Sequence, residues 1–220
     1  MRVGAPRSPL VDQSGRPLGA RAAETRQRLL DATEALLAER PLRELRVMDV
    51  ARRVGTSPAT FYQYFEDLED AALRLAERAA EEVPAIVAEI RGGWDAAEAL
   101  PRARRIVEAV IGHWDAHRAV LRVRNLRSEE GDPRFLALRR RVHGPVIEAF
   151  ADAVRGAQRA GRVEPAVHPG AAGAALAAIL ERLAAYHSEL RAFGVTREHL
   201  VETTARIVVR TLTGAPASAP

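Results

Sequence analysis

The segment HWDAH places two imidazoles, His113 and His117, four residues apart. On a helix the two rings share a face, with Asp115 turned off it, and that spacing can chelate zinc. The sequence shows no evident third ligand and no HExxH pattern, so the pair reads as structural or solvated and no metal is expected. His143, His168, His187 and His199 stand isolated. The chain has no cysteine, which removes thiolate catalysis, thiolate metal ligands and disulfides. Neither a Gly-rich phosphate loop nor a GxSxG elbow occurs, and the carboxylates are scattered along surface-like positions. No catalytic residues and no cofactor are expected, and the chain does not read as an enzyme.

A different kind of chemistry is concentrated in GTSPATFYQYFEDLEDA, Gly55 to Ala71. The chain holds only five Phe, three Tyr and two Trp, yet Phe61, Tyr62, Tyr64 and Phe65 fall together between a polar turn and a run of acids. At 100° per residue Phe61 and Phe65 lie about 40° apart on one stripe. They can anchor a short helix to a thin core. Ala59, Thr60 and Gln63 cluster on the opposite side, and Tyr62 and Tyr64 flank the stripe. A tyrosine at such an edge holds its ring against the protein while its hydroxyl reaches outward. That is the design of a helix that docks on something.

The elements that must position this helix are helical too. Ala, Leu, Arg and Glu dominate and strand-like alternation is absent, so the fold class is all-α. Helix one is expected over about Ala23–Glu39, with Leu29, Thr33, Leu36 and Leu37 on one stripe and Pro41 as its stop. Helix two is VMDVARRV, with Val47, Val50, Ala51 and Val54 at i, i+3, i+4 and i+7. Gly55 breaks it in a left-handed conformation. Ser57 is a good N-cap and Pro58 suits the first helical position, so helix three is roughly Pro58–Phe65. Helix four starts near Leu68 and continues past Val83, where Pro84 should kink or end it. Five further segments come after it, at about Ala96–His117, Arg118–Arg127, Pro133–Ala160, Pro169–Ala192 and Arg197–Thr213, with a kink expected at Gly144–Pro145.

Helix two, a glycine turn and helix three form a helix-turn-helix unit, whose second helix enters the DNA major groove. Tyrosines on its two edges would meet the phosphates on either wall. Gln63 can pair with adenine and Thr60 with several bases, and small residues such as Ala59 permit close approach. Here RVMDVARRVGTSPATFYQYFEDLEDAA, with the helix before it, resembles the TetR family of bacterial transcriptional repressors. Val50–Ala51 and Val54–Gly55 match the family's first motif, and Thr60, Phe61, Tyr62, Tyr64 and Phe65 its recognition helix. The similarity covers about Thr25 to Leu75. Glu181–Arg182 also resembles the ethionamide-resistance type of repressor. The resemblance implies DNA contacts at Thr56, Ser57, Thr60, Tyr62, Gln63 and Tyr64, to which the helix wheel adds Ala59. Two departures are visible. Leu68 stands where family members carry a phosphate-binding lysine, within acidic EDLED. Arg46 stands where the N-cap of helix two is normally Ser or Thr, and is expected, with Arg43, Arg52 and the tail arginines, to restore phosphate contacts. On this reading Asp67→Lys or Leu68→Lys should tighten DNA binding.

Charge patterning agrees with a surface that meets an anion on one side. All 33 basic residues are arginine, a planar fork suited to phosphate. Residues 1–60 carry eleven arginines and seven acids, whereas residues 61–83 carry two arginines and seven acids. Arg2, Arg7, Arg16 and Arg21 could form a minor-groove arm, but a solvated tail is the favoured reading. The expected organisation is a tail over 1–20, a helix-turn-helix domain over 21–67, a helical ligand-binding and dimerisation domain over 68–214, and a tail over 215–220. The opening residues lack an apolar signal region and no apolar run approaches the roughly 18 residues of a membrane span, so a cytoplasmic protein without membrane contact is expected.

The family likeness implies a pocket in the second domain, for which Trp94, Trp114, Phe150, Tyr186 and His187 are the candidate ligand-binding residues. The last two long helices are expected to form a homodimer, through the Ala-rich face of the first and Leu200, Ile207 and Val208 of the second. The partners are then a double-stranded, near-palindromic DNA operator and a small, largely apolar effector. The alternative is a helical small-molecule-binding protein that has lost sequence-specific DNA recognition, which EDLED makes thinkable.

Overall fold

A computed structural model describes residue 13 and residues 16–214. The arginine arm at Arg2 and Arg7 and the tail 215–220 lie outside the described residues. The helices are α1 (Ala20–Glu39), α2 (Val47–Val54), α3 (Pro58–Tyr62), α4 (Leu68–Ala80), α5 (Val83–Ile90), α6 (Ala99–Glu129), α7 (Pro133–Arg159), α8 (Pro169–Tyr186) and α9 (Arg197–Thr213). Short 3-10 turns cover Leu42–Glu44 and Glu189–Phe193. The all-α expectation holds. The described residues divide into two compact units, one up to residue 78 with 119–130 and the other 79–118 with 131 onward.

In the first unit α1 packs on α2 and α2 on α3. The core is built from Leu29, Leu30, Leu36, Leu37, Leu45, Val50, Ala51, Phe61, Phe65 and Leu75, all buried. Thr33 is buried among them because its hydroxyl donates to the Leu29 carbonyl (2.8 Å). Arg28 ties α1 to the end of α2 by donating to the Val54 carbonyl at 2.7 Å.

In the second unit α7 and α8 make the most extensive pairing, α5 packs on α7, and α9 packs on both α7 and α8. The close approach of α8 depends on Gly173, where a Cβ would stand 2.4 Å from the Ile147 carbonyl oxygen of α7. Leu176, Ala177, Leu180 and Ala184 of α8 are buried, as are Phe150, Ala151 and Val154 of α7.

Several boundaries differ from the sequence expectation. Helix one begins at Ala20, its first turn closed by Ala23 N–H on the Gly19 carbonyl (2.9 Å). Helix four ends at Ala80 rather than passing Val83. Pro84 lacks the N–H that would bond the Ala80 carbonyl, and its ring would crowd that carbonyl, so the helix stops one turn early. Pro84 then serves in the first turn of α5, where its missing donor costs nothing. The two segments expected around His117 are one span, but His117 itself has non-helical backbone (φ −122°, ψ 17°), so the boundary falls where expected. The helix expected through Ala192 ends at Tyr186 and gives way to a 3-10 turn that closes at Gly194. α7 continues through Pro145 as one helix.

Candidate nucleic-acid interface

The turn between α2 and α3 has the expected local chemistry. Gly55 takes φ 75°, ψ 39° and closes α2 with its N–H, after which Thr56 N–H bonds the Ala51 carbonyl at 2.9 Å. A left-handed residue reverses the chain here at little cost only because it lacks Cβ. Ser57 caps α3 by accepting from Thr60 N–H (3.3 Å), and its hydroxyl also meets the Thr60 hydroxyl at 3.1 Å. Pro58 is in the first turn.

α3 is shorter than expected and ends as regular helix at Tyr62. Phe65 N–H nevertheless bonds the Phe61 carbonyl at 3.0 Å, so one further turn keeps the two rings on one stripe. Both are fully buried and their centroids stand 5.2 Å apart. Arg26 of α1 lies over the Phe65 ring at 5.1 Å. Tyr62 packs edge-on against Phe61 and is 53% exposed, while Tyr64 leans on Phe65 and is half-buried. Ser57, Ala59 and Gln63 are exposed, and Thr56 and Thr60 partly so. Two rings therefore anchor the helix, and the polar and small residues named above form an outward surface. The exposed Arg43, Arg46 and Arg52 precede it in sequence. The N-terminus of α2 is closed by Asp49, whose carboxylate accepts from Arg46 N–H (3.0 Å) and pairs with Arg40 (3.0 Å). Asp49 thereby satisfies the Arg46 N–H, while the Asp49 N–H that a Ser or Thr at position 46 would satisfy bonds the Arg46 carbonyl instead (2.9 Å).

The acidic start of α4 has a structural role that the sequence did not reveal. Asp67 caps α4 by accepting from Asp70 N–H (2.7 Å), and the buried Asp70 accepts in return from Glu66 N–H (3.2 Å). This reciprocal arrangement satisfies two backbone donors at the helix start. Asp70 also pairs with Arg74 (3.1 Å) and accepts from Gln13, and Glu69 pairs with Arg127. Glu66 alone of these four acids is exposed. Leu68 is buried at 8% exposure, so the position is a core position here and not a bare surface site lacking a lysine.

The candidate ligand residues of the second unit have separate surroundings. Trp114 and Phe150 are buried core residues, in α6 and α7. Trp94 donates its indole N–H to the Ile90 carbonyl at 3.0 Å. Tyr186 is 38% exposed with Arg182 stacked on it (3.8 Å), and His187 meets Asp115, the sequence neighbour of Trp114, at 3.3 Å. No hydrogen bond, ion pair or ring contact among the described residues joins the five into one lining. Glu181 pairs with Arg139 and His143 (3.6 and 3.3 Å).

The dimer expectation needs one correction. Leu200 and Val208 are buried in this chain's own core, because α9 packs on α7 and α8. Ile207 is 41% exposed. On α8 the close-packing face at Gly173 meets α7, and a second stripe, Ala171, Ala174, Ala175 and Ala178, is exposed.

The histidine pair also has a partner from another element. Glu82, in the turn between α4 and α5, meets His113 Nδ1 at 2.9 Å and His117 Nε2 at 2.8 Å. The hydrogen bond from His113, followed by that from His117, holds the Glu82 carboxyl below its ordinary value of 4.5 against the opposing effect of burial. Asp115 is off this face, as expected, and bonds Arg197 (2.9 Å).

Comparison with known proteins finds two family models along the chain. Residues 29–75 match the family model "Bacterial regulatory proteins, tetR family", and residues 85–218 match "Tetracyclin repressor-like, C-terminal domain". No curated protein matches the chain. Among solved structures, a putative TetR-family regulator from Syntrophomonas wolfei is similar at 18% identity and TM-score 0.63, covering 87% of this chain and 96% of that one. The fatty acid degradation regulator FadR from Bacillus halodurans is similar at 14% identity and TM-score 0.64, covering 88% and 97%. Bacillus subtilis FadR, solved in complex with stearoyl-CoA, is similar at 12% identity and TM-score 0.61, covering 86% and 98%. These likenesses show the fold, and the two family matches together span the helix-turn-helix and most of the second unit: the chain belongs to the TetR family of bacterial transcriptional regulators.

Proposed function

We propose that this regulator is a repressor that binds a near-palindromic operator as a homodimer and is released by a small, largely apolar effector. The observation that carries the reading is the division of α3 and the residues flanking it: Phe61 and Phe65 are fully buried, while Ser57, Ala59, Tyr62 and Gln63 face out. A helix fixed so rigidly on one side and so open on the other suits insertion into a major groove, with Thr60 and Gln63 at base edges and Tyr62, Tyr64, Thr56, Ser57 and Arg46 at phosphates. The engagement of Asp67, Glu69 and Asp70 within the protein supports retained DNA recognition over the alternative of a binding protein that has lost it.

The exposed alanine stripe of α8 and Ile207 of α9 support pairing with a second copy, since small side chains let helices approach closely. Two recognition helices then read half-sites about 34–36 Å apart. The effector enters the second unit, whose apolar core supplies the chemistry for an apolar ligand; the acyl-CoA bound by Bacillus subtilis FadR is a reasonable class to screen first. Release requires that the effector bind one state of the protein better than the other.

Selection of genomic fragments on the purified protein, followed by footprinting, tests this reading. The expected result is a protected near-palindrome with half-sites about one helical turn apart, lost on Gln63→Ala with Thr60→Ala. Protection without a repeated half-site, or none at all with folded protein, would refute it.

A further inference from the structure

We propose that Glu82, His113 and His117 form a binding site for a divalent transition metal of the zinc class. All three belong to the second unit, and their ligand atoms lie within 4.8 Å of one another. The site is assembled from two places. The turn between α4 and α5 brings Glu82, and the last part of α6 before its break brings both rings. His117 is the residue at which α6 leaves helical geometry. The His113 and His117 side chains are 9% and 16% exposed, while Glu82 is 55% exposed. Two rings withdrawn from water therefore converge on a carboxylate that closes the site from the solvent side.

The geometry is close to what a small dication requires. Bonds of about 2.0–2.1 Å in a tetrahedral site place ligand atoms about 3.3 Å apart. Here the carboxylate oxygens stand 2.9 and 2.8 Å from the ring nitrogens. One of the two oxygens serves as the ligand, so that Glu82 and the two rings fill three positions, and side-chain shifts of about half an ångström or more admit the ion. In the metal-free form each ring donates its N–H to Glu82. On binding, Nδ1 of His113 and Nε2 of His117 present lone pairs to the ion and the protons reside on the opposite ring nitrogens. Water fills the fourth position.

Two imidazoles and a carboxylate suit Zn(II), Co(II) or Ni(II) and discriminate against Mg(II) and Ca(II), which take oxygen ligands. The His143–Glu181 pair makes a useful contrast. Its third neighbour is Arg139, a cation that repels an ion.

The test uses tag-free, full-length protein stripped with chelator and titrated with Co(II), read by visible absorption, with Zn(II) as competitor. The site predicts one equivalent of tetrahedral Co(II), displaced by Zn(II) and not by Mg(II). Glu82→Gln and His117→Gln should each weaken Co(II) binding by more than about tenfold with unchanged circular dichroism. The exposed Glu82 keeps the test independent of the more enclosed His113. Absence of saturable Co(II) binding, or wild-type affinity in either variant, would overturn the proposal. None of these readouts needs DNA, so failure here leaves the regulator reading standing.

Discussion

The exposed carboxylate at Glu66 gives the sharpest handle on how this chain meets DNA. Sequence reasoning points to Asp67 and Leu68 as the residues to change. The structure shows that both hold α4 in place, whereas Glu66 is free of that duty through its side chain. Glu66→Arg alters one side chain by two charge units. For a phosphate at about 8 Å in water, each unit is worth about 0.5 kcal/mol, or about 1 kcal/mol in all. Screening reduces this to about 0.4 kcal/mol at physiological salt and about 0.8 kcal/mol at 10 mM. Operator affinity should therefore rise about twofold and about fourfold respectively. Leu68→Lys behaves differently. It exchanges a buried leucine for an ammonium that must reach for water, at a cost of about 1.5–3 kcal/mol of stability. Fluorescence anisotropy on operator DNA at the two salt concentrations, with thermal melts of each variant, measures both effects. A Glu66→Arg variant with unchanged affinity at 10 mM salt, beside a fully stable Leu68→Lys that binds more tightly, would refute this assignment of roles.

Other perturbations rest on single observed interactions. Gly55→Ala should lower stability by about 1 kcal/mol through its positive φ alone, since an added Cβ meets no atom, and Gly55→Asn should cost less; equal melting temperatures for all three would contradict the left-handed cap. Asp132 caps α7 by accepting from Arg134 N–H, and the Arg134 side chain, ahead of other causes, holds its carboxyl below the ordinary 3.8. Asp132→Ala should then cost about 1 kcal/mol at neutral pH. Because the folded value is depressed, that difference is fully present above pH 3.8 and shrinks as pH falls through the folded value, which denaturant melts from pH 7 to 2 would show. Ala175→Arg with Ile207→Arg should leave the fold intact and shift the protein to monomer in sedimentation velocity; an unchanged mass would remove that face from the dimer interface.

Features set by neighbouring residues were legible in the sequence. Gly55, Ser57 and Pro58 announce a turn and a helix start through backbone chemistry that acts within four residues. Phe61 and Phe65 reveal the buried stripe by spacing alone, and the aromatic pattern carries the family likeness. Features set by distant residues were not. Nothing in EDLED says that Asp70 turns inward to cap and pair while Glu66 stays out. The Ala-rich helix α8 has two small-residue faces, and only packing decides that Gly173 faces α7. Pro84 could end one helix or begin another, and its missing bond to Ala80 settles the matter. HWDAH shows two rings, but the carboxylate between them comes from a turn 31 residues away from His113.

The most direct test of the central claim is anisotropy of the purified protein on DNA from just upstream of its own gene, against a shuffled control, at two salt concentrations. Binding through the α3 surface predicts a clear preference for the native sequence, affinity that falls steeply as salt releases counterions, and loss of the preference in Gln63→Ala with Thr60→Ala. Tight binding that ignores sequence, or a preference that survives the double substitution, would contradict it.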